Sequence, residues 1–344
     1  MLYEPHEDSE QLAKEVKKYA YGKVLDVGTG TGFQAKAAAS SKKVSEVLAV
    51  DIDKDAISYC KKESKHEKIS YKYSDLFSKV TGKFDTITFN PPYLPQDEGI
   101  EDIALYGGKK GWEVVKRFIE DATDYLEDDG VILLLFSSLT RKDMVYQFLD
   151  KEIFKYERLS TTSHFFEKLY VYKIHKRKIR VNIEKSGVTN LQYFNKGKRG
   201  LIYSGDYKKK KIVVKFKNPK STAAGRIHIE GDFLEKLNKV GIGPKLYVKD
   251  SDFLVMELID GISYKEYMEN NSKDKIHKIA ILLEKQLVKM DELQIDKQEM
   301  ARPLTNVIIR NEKPILIDFE RCRFSQNPKN IRQFREFKRK NGFL

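Results

Sequence analysis

The chain has 344 residues and a mass of 40.0 kDa, more than one hydrophobic core usually serves, so two domains are expected. Charged residues make up 33% of it, no apolar run is long enough to span a membrane, and its two cysteines, Cys60 and Cys322, supply neither a disulfide framework nor a metal cluster. Residues 1–172 carry 25 Lys and Arg against 30 Asp and Glu, a net −5, whereas the rest carries 39 against 21, a net +18. Excess positive charge that would exchange for phosphate counterions is therefore confined to the second half. The start, "MLYEPHEDSE", has neither a basic nor an apolar leader region, which fits a cytoplasmic protein.

Within residues 1–178, short apolar runs alternate with helical patterns. "KVLDVGTG", "EVLAVDID", "ISYKYSD", "FDTITFNPPY" and "GVILLLFSS" read as strands, and "GFQAKAAASSK", "DAISYCKKESK" and "WEVVKRFIEDATDYLED" as the helices between them. This alternation predicts an α/β domain with a Rossmann-like, mostly parallel, doubly wound sheet. "EIFKYERLS" and "FFEKLYVYKIHKRKI" add an antiparallel hairpin. A polar stretch over 177–190 follows, and residues 185–344 read as a small α+β domain. Its strands are "LIYSGDY", "KIVVKFK", "GPKLYVKD" and "DFLVMELI", interrupted by the helix "IHIEGDFLEKLNKVG". Two helices, two short strands around "NVIIRNEKPILIDFE" and a basic helical tail complete it. "KKKK" at 208–211 reads as a solvated hairpin tip.

Gly28, Gly30 and Gly32 in "VLDVGTGTG" lie between a strand and a helix, where a tight turn and bare backbone admit a nucleoside cofactor. NAD, FAD and AdoMet share such turns, and a purely structural turn has the same appearance. Asp51 ends the next strand, spaced to accept from ribose hydroxyls, and Asp75 in "SDLF" stands where it could accept from an adenine amino group. The fourth strand ends on Asn90-Pro91-Pro92-Tyr93. An amide or aromatic amine nitrogen is a poor nucleophile because its lone pair is conjugated. The Asn90 side-chain carbonyl and the Pro91 backbone carbonyl could accept its two N–H bonds and orient it, while Tyr93 offers a face for a planar group.

In this order, the glycine turn, Asp51, "SDLF" and "NPPY" resemble AdoMet-dependent methyltransferases that modify planar nitrogens, among them adenine-N6 enzymes and protein-glutamine-N5 enzymes of the HemK type. "YEPHEDS" (Tyr3 to Ser9) and "LYGGKKGWEVVKRF" resemble the short archaeal and eukaryotic branch of the HemK type. The resemblance implies catalysis by Asn90, Pro91, Pro92 and Tyr93. It implies cofactor contacts from Glu4, Pro5, Asp8, Asp26, Gly28, Thr29, Gly30, Gly32, Asp51, Ile52, Asp75, Leu76 and Asn90. Glu7 belongs with the stretch that folds over the cofactor, and Gly107, Gly108 and Gly111 with the substrate pocket wall. The implied substrate is a glutamine in the Gly-Gly-Gln loop of a class 1 translation release factor, with a small zinc-binding activator protein as partner. The plainer alternatives are an ordinary helix start at "EDSEQLAKEV" and a Gly-rich turn capping "WEVVKRFIED".

In the second half, Lys215 (mid-strand), Glu230 (next helix), Asn306 and Asp318 (strand end) follow the order of a protein kinase's phosphate-binding lysine, its glutamate partner and its metal ligands. "EGDFLEKLNKVGIGPKLY" and "DFLVMELIDG" resemble small archaeal kinases of the RIO type and of the tRNA threonylcarbamoylation complex. The resemblance implies a kinase-like domain holding ATP through Lys215, Glu230, Glu257, Glu299, Asn306 and Asp318, with Mg²⁺ on Asn306 and Asp318. The sequence departs from that pattern in three places. Glu299 in "KQEMARPLTN" stands nearest the base position, Glu320 replaces the glycine after the metal-binding aspartate, and "NKGKRG" (Gly197, Gly200) is a poor glycine loop. Taken singly, Lys215 fits an edge strand, Glu230 a solvated helix face and Asp318 a turn. The +18 charge also leaves open RNA or ribosome contact, with adenine-N6 methylation of tRNA or rRNA as the alternative activity.

Overall fold

Alternating strands and helices build the first of two units into which the chain divides, Met1–Val181 and Asn182–Leu344. The computed structural model describes residues 4–96, 105–163, 166–196, 200–217 and 227–342; Tyr3 and Gly197 lie outside them. The first unit runs α1 (Glu7–Tyr19), β1 (Gly22–Val27), α2 (Phe33–Ala39), β2 (Val44–Asp51), α3 (Lys54–Glu63), β3 (Ile69–Tyr73), β4 (Phe84–Phe89), α4 (Glu113–Tyr125), β5 (Leu126–Ser137), α5 (Lys142–Lys151), β6 (Phe154–Ser163) and β7 (Lys168–Lys176). Its seven strands lie in the order β3-β2-β1-β4-β5-β7-β6, the first five parallel and β7 antiparallel to both neighbours. The winding direction reverses between β1 and β4, and a crevice at the carboxyl ends of such strands is the usual ligand site of an open α/β sheet.

Helices cover both faces. Phe89, Phe118, Phe136 and Phe148 pack one side of the sheet with α4 and α5, while Leu12, Val16, Ala35 and Leu135 pack the other with α1 and α2. The helix expected over 112–128 stops at Tyr125, because Leu126 is fully buried in the ladder opposite Phe84. The short amphipathic α5, which the sequence did not reveal, buries Val145, Phe148 and Leu149. "EDSEQLAKEV" does begin a helix. Glu7, Asp8 and Glu10 in its first turn complement the helix dipole, and Leu12, Ala13 and Val16 are buried.

The polar stretch over 177–190 folds as α6 (Lys178–Lys185) and the start of β8 (Val188–Lys196), neither of which was read from the sequence. Next come β9 (Gly200–Tyr207), β10 (Lys210–Lys217), α7 (Ile227–Asn238), β11 (Leu246–Lys249) and β12 (Phe253–Glu257), which form an antiparallel sheet in the order β11-β12-β10-β9-β8. The chain continues through β13 (Ile262–Ser263), α8 (Tyr264–Asn270), α9 (Lys273–Glu292), β14 (Ile295–Asp296), β15 (Val307–Arg310), β16 (Lys313–Leu316), β17 (Arg323–Phe324) and α10 (Asn330–Lys340). Lys208 and Lys209 form the exposed β9–β10 turn with φ of 49° and 63°, as a two-residue hairpin turn demands. β10 is an interior strand, so Lys215 is not an edge lysine. Among the described residues no helix is long and apolar enough to cross a membrane.

Candidate active site

A cleft of about 880 Å³ opens at the carboxyl ends of β1, β2 and β4. Gly28 adopts φ +65°, and a Cβ there would stand 3.2 Å from the Phe89 ring, so the turn closes against β4 only with bare backbone. At Gly30 a Cβ would meet nothing within 4 Å. The Asp51 carboxylate is locked at the end of β2: Oδ2 accepts the Gly30 N–H and Oδ1 the Asp53 N–H, each at 2.8 Å. Burial raises its pKa against the pull of those N–H groups. Ile52 beside it is 46% exposed, which leaves an apolar face for a planar base. Asp75 lines the cleft too, but its Oδ2 is paired at 2.8 Å with Arg117 of α4, a residue the sequence did not single out.

Pro5, Asp8, Gly28, Thr29, Gly30, Asp51, Ile52, Asp75, Leu76 and all of Asn90 to Tyr93 line the cleft, whereas Glu4, Asp26 and Gly32 do not. Gly32 faces Tyr71, Cys60 and Ser64. Asp26 is fully buried in β1, where Thr29 Oγ1 donates to its Oδ2 at 2.6 Å. Burial, opposed by Thr29 and reinforced by Asp51, pushes its carboxyl up to about 7. The folded protein therefore keeps a proton that the unfolded chain, with a carboxyl near about 3.9, releases. Its contribution to stability is present at low pH and lost as pH rises through about 7. Asp26→Asn is expected to flatten the fall in melting temperature between about pH 4 and about pH 7; an unchanged slope contradicts this assignment.

Asn90 leaves β4 with its amide held at one end. Nδ2 donates to Asp8 Oδ2 at 3.0 Å, while Oδ1 is buried with no hydrogen-bond partner among the described residues. An unmet buried acceptor costs about 1–3 kcal/mol, and a ligand N–H would satisfy it. The Gly-rich segment clamps the turn that follows: Leu94 N–H donates to Leu105 O, Gly107 N–H to Leu94 O and Gln96 N–H to Gly108 O, at 2.9–3.1 Å. A Cβ on Gly107 would lie 2.6 Å from the Pro92 carbonyl oxygen. The same segment caps α4, the Gly107 carbonyl accepting the Val114 N–H at 3.1 Å, while the Glu113 carboxylate accepts from the Lys110 and Trp112 N–H groups of the preceding turn. Gly107, Gly108 and Gly111, which the resemblance placed in the substrate pocket wall, do not themselves line the cleft; Leu105 and Tyr106 just before them do. Tyr93 is half-buried, and burial, then Asp8 and Glu167, raise its hydroxyl pKa. Glu167 also lines the cleft without having been recognised in the sequence, and it accepts from Ser137 Oγ at 2.5 Å.

These residues fit AdoMet: bare backbone at the glycine turn, a fixed carboxylate for a ribose diol, apolar Ile52 and Leu76 for an adenine, and a polar strand end beyond. Fold and cleft define an AdoMet-dependent methyltransferase. Residues 6–169 match the methyltransferase small domain family. A protein N5-glutamine methyltransferase of Methanocaldococcus jannaschii is 41% identical over 177 residues, which cover 49% of this chain and 89% of that protein. The release factor glutamine methyltransferase of Streptococcus pneumoniae is 36% identical over 123 residues, covering 32% of this chain and 44% of that enzyme. The chain spans about half the length of such bacterial relatives. Among solved structures, an E. cuniculi complex responsible for methylation of the eRF1 translation termination factor is 27% identical, with a TM-score of 0.42, covering 51% of this chain and 98% of that one. Through its first unit the chain belongs to the HemK-type protein N5-glutamine methyltransferases.

The second unit gathers its own charged cluster. Lys215 Nζ lies 2.6 Å from Glu230 Oε2, 3.1 Å from Asp318 Oδ1 and 3.7 Å from Glu320 Oε2. Glu230 is 2% exposed, so it is not a solvated helix position. Burial works against the charge on Lys215, but Glu230 and Asp318 more than offset it and raise its pKa. Asp318 has φ +60°, a strained value for this residue, and fully buried Lys297 donates to the carbonyls of Ile317 and Asp318 beneath it. Nothing in the sequence marked Lys297. Carboxylate oxygens of Glu230, Asp318 and Glu320 lie within 4.8 Å of one another. Asn306, expected to share a metal with Asp318, accepts the Ile317 N–H on its backbone carbonyl at 2.9 Å. Its Nδ2 donates to Glu299 at 2.7 Å, and Glu299 is also paired with Arg321 at 3.1 Å. Glu257 is engaged by Arg310 and the Lys245 N–H. Lys215→Met would leave Glu230 buried without its cation, and α7 and β10 are expected to lose about 3–5 kcal/mol of hydrogen-exchange protection.

Proposed function

We propose that the first unit transfers the methyl group of AdoMet to the side-chain amide nitrogen of a glutamine, in the Gly-Gly-Gln loop of a translation release factor. The observation that carries this reading is the Asn90 amide at the cleft, anchored through Nδ2 and with a buried oxygen that lacks a donor. AdoMet supplies a methyl carbon made electrophilic by its sulfonium. The glycine turn and Asp51 would hold it. Asn90 Oδ1 and the Pro91 carbonyl would accept the two N–H bonds of the glutamine amide, fixing the nitrogen and stabilising the positive charge that develops there. Tyr93 gives the amide plane a surface to lie against. The methylated nitrogen is then acidic enough to lose its proton to water, so no dedicated base is required. The protein-glutamine activity named for the relatives supports the acceptor chosen here. Assays with release factor and RNA in parallel, with and without a zinc-binding activator, test it; label on RNA and none on release factor contradicts it.

A second reading concerns the second unit. We infer a kinase-like nucleotide site, supported by the Lys215–Glu230 pair at 2.6 Å and by Asp318 at the end of the following sheet. Lys215 would meet phosphate oxygens and Asp318 a Mg²⁺ ion. The Glu299–Arg321 pair at the base position favours nucleotide binding over phosphate transfer. Calorimetry with ATP and Mg²⁺ is expected to show binding that Asp318→Ala abolishes; no binding by the wild type contradicts it.

A further inference from the structure

Asp8 is 4% exposed and lines the cleft, yet the chemistry above leaves it idle. Its position is fixed from two sides of α1. Gln34 of α2, the helix after the glycine turn, donates to the Ser9 carbonyl at 2.8 Å, and Gln11 donates to Ser160 Oγ of β6 at 3.2 Å. Asp8 Oδ1 accepts the Ser9 N–H, and Oδ2 accepts Asn90 Nδ2. A carboxylate only accepts. An Asn90 amide turned the other way would set oxygen against oxygen here and offer donors to the acceptor nitrogen, whose own N–H bonds need acceptors. The amide orientation on which the proposed reaction depends is thus set by a residue 82 positions away in sequence.

We propose that Asp8 is a positioning residue for methyl transfer: by holding Asn90 Nδ2 it leaves Asn90 Oδ1 as the end of the amide offered to the glutamine nitrogen. Its charge also polarises that amide, strengthening the oxygen as an acceptor. The inference rests on glutamine N-methylation as the activity of the first unit. It assigns Asp8 to the acceptor side of the cleft instead of to the cofactor.

The test is a double-mutant cycle with a spectroscopic arm. Asp8→Ala is expected to lower kcat by about 10–10²-fold, with the AdoMet dissociation constant and the KM for release factor within about twofold of wild type. Asp8→Asn is expected to fall between, since its amide can accept from Nδ2 but does not forbid the flip. On an Asn90→Ala background, Asp8→Ala should cost nothing more. Additive losses, or weakened AdoMet binding with kcat intact, would overturn the proposal. In protein labelled with ¹⁵N-asparagine, the Asn90 side-chain pair, identified by its disappearance in Asn90→Ala, should shift in Asp8→Ala. An unmoved pair overturns the Asp8 link whatever the acceptor is. A shifted pair in a protein that does not methylate release factor overturns only the assignment of substrate.

Discussion

Replacing Asn90 with alanine is expected to lower kcat for methyl transfer by about 10²–10³-fold while leaving AdoMet affinity within about twofold. A planar nitrogen must lose conjugation as its bond to the methyl carbon forms, and the charge it gains needs acceptors already in place. Asn90 Oδ1 is such an acceptor, because it is buried and satisfied by nothing within the described protein. Alanine removes it together with the Nδ2 donor to Asp8 Oδ2, yet leaves the glycine turn and Asp51 untouched. Stopped-time assays paired with calorimetry separate the two effects. A fall in AdoMet affinity with kcat preserved would show that Asn90 serves the cofactor alone.

Gly107→Ala carries the second large effect, through backbone. Its Cβ would stand 2.5 Å from the Gly111 carbonyl oxygen and 2.6 Å from that of Pro92, and neither is a side chain that can swing away. Either the Leu94–Leu105 and Gly107–Leu94 hydrogen bonds lengthen or the Pro92–Tyr93 turn moves. A shift of about 1 Å in the group that orients the acceptor costs about 10²-fold in rate. Activity is therefore expected to fall about that far, with the melting temperature of the protein little changed. Normal kcat in a folded Gly107→Ala protein would mean that the clamp does not set the geometry of Asn90 to Tyr93.

What the sequence made legible was local. The glycine turn, Asp51 and "NPPY" are short patterns attached to strand ends, and a doubly wound sheet brings strand ends to one edge. Glu167, Arg117 and the Asp8–Asn90 bond were not legible, because the contacts that matter join distant segments through hairpin and helix placement. Asp26 and Gly32 show the converse: they belong to the motif but sit behind the cleft, one sealed under Thr29 and the other against Tyr71 and Cys60. In the second unit, the order Lys215, Glu230, Asp318 was readable, and the first pair does form. Lys297 was not, since a buried lysine in "IDKQE" looks like any surface lysine until its carbonyl partners are known. β8 and α5 escaped although each carries apolar residues that end up buried, Val188 and Leu191 in one and Val145, Phe148 and Leu149 in the other; packing, not propensity, decides them.

The central claim is that Asn90 presents an acceptor to a glutamine nitrogen of a release factor. Its most direct test is to incubate the full chain with labelled AdoMet and a purified class 1 release factor, then map the label by mass spectrometry. One methyl group is expected on a glutamine side-chain nitrogen of the Gly-Gly-Gln loop, lost with Asn90→Ala. Label on a lysine, or on glutamine but undiminished by Asn90→Ala, would contradict it.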